Sequence, residues 1–82
     1  METNTQITIL NAFREGDALI TQVRYDYTGE LEASITVDIY HFQPSDQEEV
    51  DRGIQNRGES EKQKLMSIKK IDQIIDNLNG TR

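Results

Sequence analysis

Apolar and polar residues alternate in three runs along the first half of the chain, separated by the segments REGD (14–17) and TGE (28–30). Alternation with a period of two is typical of half-buried β-strands, and Gly and Asp favour turns between them. The pattern predicts a three-stranded antiparallel β-meander over residues 5–43. The apolar positions of the three runs are Ile7, Ile9 and Phe13; Leu19, Val23, Tyr25 and Tyr27; and Leu31, Ala33, Ile35, Val37 and Ile39.

The register of this meander follows from the requirement that apolar side chains share one face. Three-residue loops at 15–17 and 28–30 bring odd-numbered apolar residues opposite one another, whereas a two-residue second loop would pair Val23 with Ser34 and mix the faces. The predicted cross-strand pairs are Phe13–Leu19, Ile9–Val23, Ile7–Tyr25, Tyr27–Leu31, Tyr25–Ala33, Val23–Ile35 and Leu19–Ile39.

The opposite face of the predicted sheet is mostly polar, with an apolar exception at one end. Leu10, Ile20, Tyr40 and Phe42 fall on the side away from the core. Two large aromatic side chains beside two aliphatic ones form an unusual exposed patch for a monomeric protein. We expect protein to cover this patch, either from the same chain or from another one.

After Pro44 the pattern changes to a helical period. Ser45 and Glu48 fit a capping box at a helix N-terminus. Gly58 lies in a segment without apolar residues, so the pattern is compatible with two helices broken there or with one continuous helix over 45–79. We favour the continuous helix, which at about 50 Å would extend past strands of about 30 Å. Apolar residues then recur at helical spacing at Leu65, Ile68, Ile71, Ile75 and Leu78.

These elements predict a single small domain of the α+β class over residues 1–82, with a three-stranded antiparallel meander followed by one long or two consecutive C-terminal helices packed on one sheet face. Apolar residues make up 34% of the chain, and there is no cysteine. A domain of this size buries a small core, and no disulfide can reinforce it. Oligomerisation or a partner is the remaining common source of stability.

The net charge of −6 is divided unevenly along the chain. Residues 1–51 contain 11 acidic and 2 basic side chains, and residues 52–82 contain 4 acidic and 7 basic ones. The acidic part disfavours binding to nucleic acid, and the basic residues alternate with acids as on a solvated helix face. No apolar stretch approaches the roughly 20 residues of a membrane span, and the N-terminus lacks the features of a signal peptide. We therefore expect a cytoplasmic protein that binds neither nucleic acid nor membrane.

The chain contains few residues that could carry out catalysis. His41 is the single histidine, and its parity places it on the core side near the end of a strand. No serine follows a nucleophile-elbow pattern, and the five glycines form no phosphate-binding loop. The acids between 46 and 51 lack the spacing of a calcium loop and suit a helix N-terminus. We predict a non-enzyme with no cofactor and no metal site.

Two functions remain as hypotheses. The first is a self-associating assembly module, such as a small structural or accessory subunit of a phage-like or other multi-subunit assembly. The second is a small acidic inhibitor or immunity-type protein that binds a basic site on a target. The predicted interface for the first comprises Leu10, Ile20, Tyr40, Phe42, Leu65, Ile68, Ile71, Ile75 and Leu78, and for the second Asp26, Glu30, Glu32 and Asp38.

Overall fold

Residues 2–80, which the computed structural model describes, form three antiparallel strands followed by one α-helix. The elements are β1 (Thr3–Glu15), β2 (Ala18–Gly29), β3 (Ala33–Phe42) and α1 (Gln47–Gly80). The sheet order is β1-β2-β3, which confirms the predicted α+β meander. The helix continues through Gly58, so the alternative of two helices is wrong. Met1, Thr81 and Arg82 of the predicted domain lie outside the described residues.

The first hairpin contains a β-bulge that the alternating pattern did not predict. The pairs Ile9–Val23 and Ile7–Tyr25 are confirmed, but the register shifts between Ile9 and Asn11. A bulge inserts one extra residue into a strand, so the rest of that strand exchanges faces. The predicted pair Phe13–Leu19 is therefore wrong, because Phe13 lies opposite Ile20 on the outer face.

The turn of this hairpin compensates for the extra residue. Glu15 pairs with Ala18, which leaves a two-residue turn at Gly16–Asp17 in place of the predicted three-residue loop. Gly16 has a φ of +62°, a conformation that glycine adopts without steric cost and that short hairpin turns require. With the bulge and the shorter turn, Leu19, Val23, Tyr25 and Tyr27 of β2 lie on the core side, as predicted.

The second hairpin has the predicted faces but a different register. β2 continues to pair with β1 as far as Gly29, so it cannot turn at 28–30. The loop lies at 30–32 instead, and Tyr25 pairs with Ile35 while Val23 pairs with Val37. This is a shift of two residues along β3, which preserves the side to which each residue points. The predicted pairs Tyr27–Leu31, Tyr25–Ala33, Val23–Ile35 and Leu19–Ile39 are all wrong for this reason.

The core lies between α1 and the two strands β2 and β3. Val23, Tyr25 and Tyr27 are fully buried there, and Val50 and Ile54 pack on them from the helix. The helix does not cover β1, so Ile7 and Ile9 remain exposed although they share the core-facing side. The hydrophobic face of the sheet is therefore wider than the helix that covers it.

Two tyrosines of β2 anchor the helix through its backbone. The Tyr25 hydroxyl donates a hydrogen bond to the carbonyl of Ile54 (2.5 Å), and the Tyr27 hydroxyl donates to the carbonyl of Gly58 (2.7 Å). Burial raises the pKa of both hydroxyls, that of Tyr27 to about 12. The tyrosines therefore stay protonated and donate hydrogen bonds at neutral pH.

Gly58 allows this close approach of helix and sheet. A Cβ at this position would lie 2.7 Å from Cε1 of Tyr25, closer than carbon atoms can pack. The sequence left a break of the helix at Gly58 open, because glycine is a poor helix former. In the structure the glycine instead lies at the contact between α1 and β2, and the packing there outweighs its intrinsic preference.

The helix begins one residue later than the sequence predicted. Asp46 Oδ1 accepts a hydrogen bond from the backbone N–H of Glu49 (2.9 Å), and Glu49 Oε2 accepts one from the backbone N–H of Ser45 (3.0 Å). The capping residues are thus Asp46 and Glu49 instead of Ser45 and Glu48. Asp and Ser are nearly equivalent as N-caps, so the sequence did not distinguish the two positions.

Candidate functional site

The C-terminal part of α1 extends past the end of the sheet. The Lys69 ammonium donates a hydrogen bond to the carbonyl of Glu30, in the loop between β2 and β3. Every residue from 67 to 80 is exposed. Eleven residues of helix after Lys69 span about 16 Å, so this segment lies beyond the strands.

Five large apolar side chains between residues 67 and 80 are exposed. Ile68, Ile71 and Ile75 have exposed fractions of 54%, 55% and 47%. We call the whole set the tail stripe, and its members are Ile68, Ile71, Ile74, Ile75 and Leu78. Leu65, which the sequence placed in the same interface, does not belong to it, because it is half-buried and packs against the core with Met66.

Apart from Ile68, the tail stripe faces a different direction from the side of the helix that contacts the sheet. Asp72 comes 18 residues after the buried Ile54, which is five full turns, so it continues the sheet-facing side. Asp72 indeed lines a groove of about 570 Å³ beside the β2–β3 loop, together with Leu65, Lys69 and the first member of the tail stripe, Ile68. Ile71, one residue earlier, is turned about 100° from Asp72. The centre of the tail stripe therefore points away from the plane of the sheet, and it would remain exposed even if the strands continued beneath this part of α1.

A second apolar surface lies on the outer face of the sheet, away from the helix. Phe13, Ile20 and Tyr40 form one cross-strand row, and the neighbouring row places Phe42 beside Ala18. Tyr40 and Phe42 are 61% and 62% exposed, and their rings lie 6.5 Å apart and nearly parallel. We call Phe13, Ile20, Tyr40 and Phe42 the outer-face patch; Ile20 itself is buried, so the exposed area of the patch comes from the three aromatic side chains.

The sequence identified three of the four members of the outer-face patch. Phe13 was missed, because the alternation placed it on the core side. The signal that could have found it is the apolar pair Ile9–Leu10, which breaks the alternation where the bulge occurs. Leu10 itself is exposed, but it has no cross-strand partner within the register, so it does not belong to either row of the patch.

Acidic residues border the outer-face patch. Glu15 lies in the row of Phe42, and Asp38 lies in the row next to Tyr40. Asp17, in the adjacent turn, accepts a hydrogen bond from the side chain of Gln43 (2.9 Å). The nearest arginine in sequence, Arg14, pairs with Leu19 and therefore lies on the opposite face. The border of the patch is consequently negative.

The four acids of the inhibitor hypothesis do not form one continuous surface. Asp26 and Asp38 lie on the outer face, but the row that contains Arg24 separates them. Asp26 accepts hydrogen bonds from the Ser34 hydroxyl (2.6 Å) and from Arg24 Nε (3.2 Å), and these two contacts lower its pKa. The other two acids, Glu30 and Glu32, lie in the loop between β2 and β3. The role of the four acids as an interface remains a prediction.

His41 has a structural role in the described part of the chain. Its Nε2 lies 3.0 Å from the hydroxyl of Thr21, which is buried on the core side of β2. Among residues 2–80, no group of three or more His, Cys, Asp or Glu side chains could hold a metal ion. The described helix also lacks the combination of length and apolar character needed to cross a membrane. The exposed apolar surfaces are thus the features that require a functional explanation.

Comparison with known proteins identifies no relative: no family model, no curated protein and no solved structure matches this chain. The function must therefore be argued from the geometry of the two exposed surfaces.

Proposed function

We propose that this protein is a non-catalytic assembly module that associates with copies of itself, as a small structural or accessory subunit of an intracellular multi-subunit assembly. The observation that carries this proposal is the tail stripe. Its isoleucines are half-exposed, and all of them except Ile68 lie on the part of the helix that extends past the sheet.

The energetics favour contact of the tail stripe with protein. Completing the burial of a half-exposed isoleucine contributes about 1 kcal/mol, because full burial contributes about 1.5–3 kcal/mol. Isolated surface isoleucines are common and require no explanation, but a regular stripe of them on one side of a helix is typical of an interface. Spacings of three and four residues, as between Ile68, Ile71 and Ile75, are those that pack against another protein surface.

The test is the mass of the full-length chain in solution, measured by light scattering over a dilution series. Replacing Ile71→Gln and Ile75→Gln together removes apolar area from the tail stripe and retains residues that favour helix. We expect wild-type protein to exceed its monomer mass of 9.4 kDa at high concentration and the double variant to remain monomeric.

The matched control is Ile9→Gln, the same change at a residue that is 50% exposed on β1, outside both surfaces. This variant should associate as the wild type does. Wild-type protein that remains monomeric up to the highest concentration would contradict the proposed function, and so would a tail variant that associates normally.

A further inference from the structure

We propose that the tail stripe of one molecule binds the outer-face patch of a second copy, so that copies of this chain join head to tail. This inference rests on the proposed self-association and names the two surfaces that meet. The support comes from the positions of the two surfaces, from the charges beside them, and from the apolar side chains that other pairings would leave exposed.

The two surfaces lie at opposite ends and on opposite faces of the molecule. The outer-face patch is at the end of the sheet that contains the Gly16–Asp17 turn, and α1 begins at this end, after Phe42. The helix then follows the inner face of the sheet to the β2–β3 loop, where Lys69 contacts Glu30, and continues outward. Because the helix is unbroken, the tail stripe cannot reach the patch of its own chain.

The charges of the two surfaces are complementary. The border of the outer-face patch carries Glu15, Asp17 and Asp38. On the helix, Lys70 comes four residues before Ile74 and lies on the side of the tail stripe that faces away from the sheet. Lys64 comes four residues before Ile68, in line with the stripe and one turn before it, and its ammonium also contacts Glu61 Oε1 (3.6 Å) on the same helix. The acids of this segment, Asp72 and Asp76, continue the sheet-facing side instead. The stripe therefore presents apolar side chains with lysines, and the patch presents apolar side chains with carboxylates.

Other pairings of the same two surfaces are less favourable. Contact between two patches would bring Glu15, Asp17 and Asp38 against the same acids of the second copy, and like charges across an interface are unfavourable. Contact between two tail stripes would leave Tyr40 and Phe42 exposed on both copies. Contact of stripe with patch covers both apolar surfaces in one interface. Such a contact is heterologous, so it produces a closed ring or an open chain of molecules.

Complementation between two variants tests this pairing directly. The patch variant carries Tyr40→Thr and Phe42→Thr and retains an intact tail stripe. The tail variant carries Ile71→Gln and Ile75→Gln and retains an intact patch. We expect each full-length variant alone to be monomeric, and an equimolar mixture to form a complex of one copy of each. Because small interfaces are weak, masses should be measured from about 1 μM to 1 mM.

The outcomes separate this inference from the proposed function. A 1:1 complex only in the mixture, with an affinity within about threefold of the wild-type contact, supports head-to-tail joining. A patch variant that associates as the wild type does, beside a monomeric tail variant, overturns it in favour of contact between tails and leaves self-association standing. Two monomeric variants whose mixture is also monomeric overturn it as well. Wild-type protein that is monomeric throughout overturns both the inference and the proposed function.

Folding of the variants is checked by circular dichroism and urea unfolding. Tyr40 and Phe42 are largely exposed, and threonine favours strands, so the patch variant should keep the wild-type spectrum. If the double change alters the spectrum, the single change Phe42→Thr replaces it in the same mixing experiment, with the same expected complex.

Discussion

At the scale of single residues, Gly58 and the two tyrosines of β2 determine how closely α1 approaches the sheet. The Tyr25 ring is completely buried, and its hydroxyl is held by the carbonyl of Ile54, so the ring has no free direction in which to move. The separation of helix and strand is therefore fixed by the absence of a side chain at Gly58.

Replacing Gly58→Ala should destabilise the protein. Alanine is better than glycine in a helix by about 1 kcal/mol, but forcing an extra carbon into a packed core costs about 1–3 kcal/mol. Because the new Cβ would lie 2.7 Å from Tyr25 Cε1, we expect the packing cost to exceed the gain by about 1 kcal/mol. The measurement is the free energy of unfolding in urea.

Gly53 provides the matched control in the same helix. A Cβ there would lie 3.4 Å from Cε1 of His41, which is ordinary contact, so Gly53→Ala should stabilise the protein by up to about 1 kcal/mol. Stabilisation in both variants would show that helix preference, and not the contact with Tyr25, determines the effect of Gly58→Ala.

Tyr27 makes stability sensitive to alkaline pH. Its pKa in the folded protein is about 12, above the ordinary value of 10.0, so its contribution is complete below pH 10 and is lost as the pH rises toward 12. At neutral pH, Tyr27→Phe should cost about 1 kcal/mol through the lost hydrogen bond to Gly58. The free energy of unfolding in urea, measured at pH 9 and pH 11, should fall less between these two pH values for this variant than for the wild type. Tyr40→Phe, on the outer face, should show the same fall as the wild type.

At the scale of elements, parity was easier to predict than register. Alternation identifies which side of a strand each residue faces, and a shift of two residues leaves that side unchanged, so the core positions of β2 and β3 were right although every pair between them was wrong. The register depended on how far β2 pairs with β1, as at Thr3–Gly29, which is a contact distant in sequence. Local turn residues contain no information about such a contact.

A strict two-residue alternation of apolar and polar residues does not predict the bulge in β1. The bulge changes the faces of only a few residues, but one of them is Phe13, which completes the outer-face patch. For α1, the apolar spacing predicted the helix, while the sequence left its continuity at Gly58 open. The contact with Tyr25 explains why glycine is there, and no helix preference could have revealed that contact.

At the scale of the whole molecule, the candidate site was predicted in part. Tyr40 and Phe42 on the outer face and four of the five residues of the tail stripe follow from parity and helical spacing. Leu65 packs against the core, but the sequence grouped it with these residues, because spacing alone does not show where the sheet ends beneath the helix. That boundary divides the apolar residues of α1 into those that stabilise the fold and those available to a second molecule. It is set by the 10 residues of β3 against the 34 of α1.

The division of charge between the two ends leads to a prediction about assembly as a whole. Reversing the lysines beside the tail stripe, Lys64→Glu and Lys70→Glu, should weaken association about five- to tenfold at low salt, because each exposed ion pair contributes about 0.2–1 kcal/mol. The effect should fade as salt screens the charges. Arg52→Glu, which makes one such reversal near the start of α1, is the control and should leave association unchanged.

A second reversal on the same chain distinguishes charge complementarity from simple loss of lysine. Glu15→Lys and Asp38→Lys should weaken association when made alone, because positive charges would then border both surfaces. Combined with the two lysine reversals they should restore it, since every head-to-tail contact again joins opposite charges. Contact between tails would be insensitive to the acids of the outer face, so failure of the fourfold variant to recover would contradict the pairing. Light scattering at about 50 mM and about 500 mM salt, where the Debye length falls severalfold, measures both effects in one series.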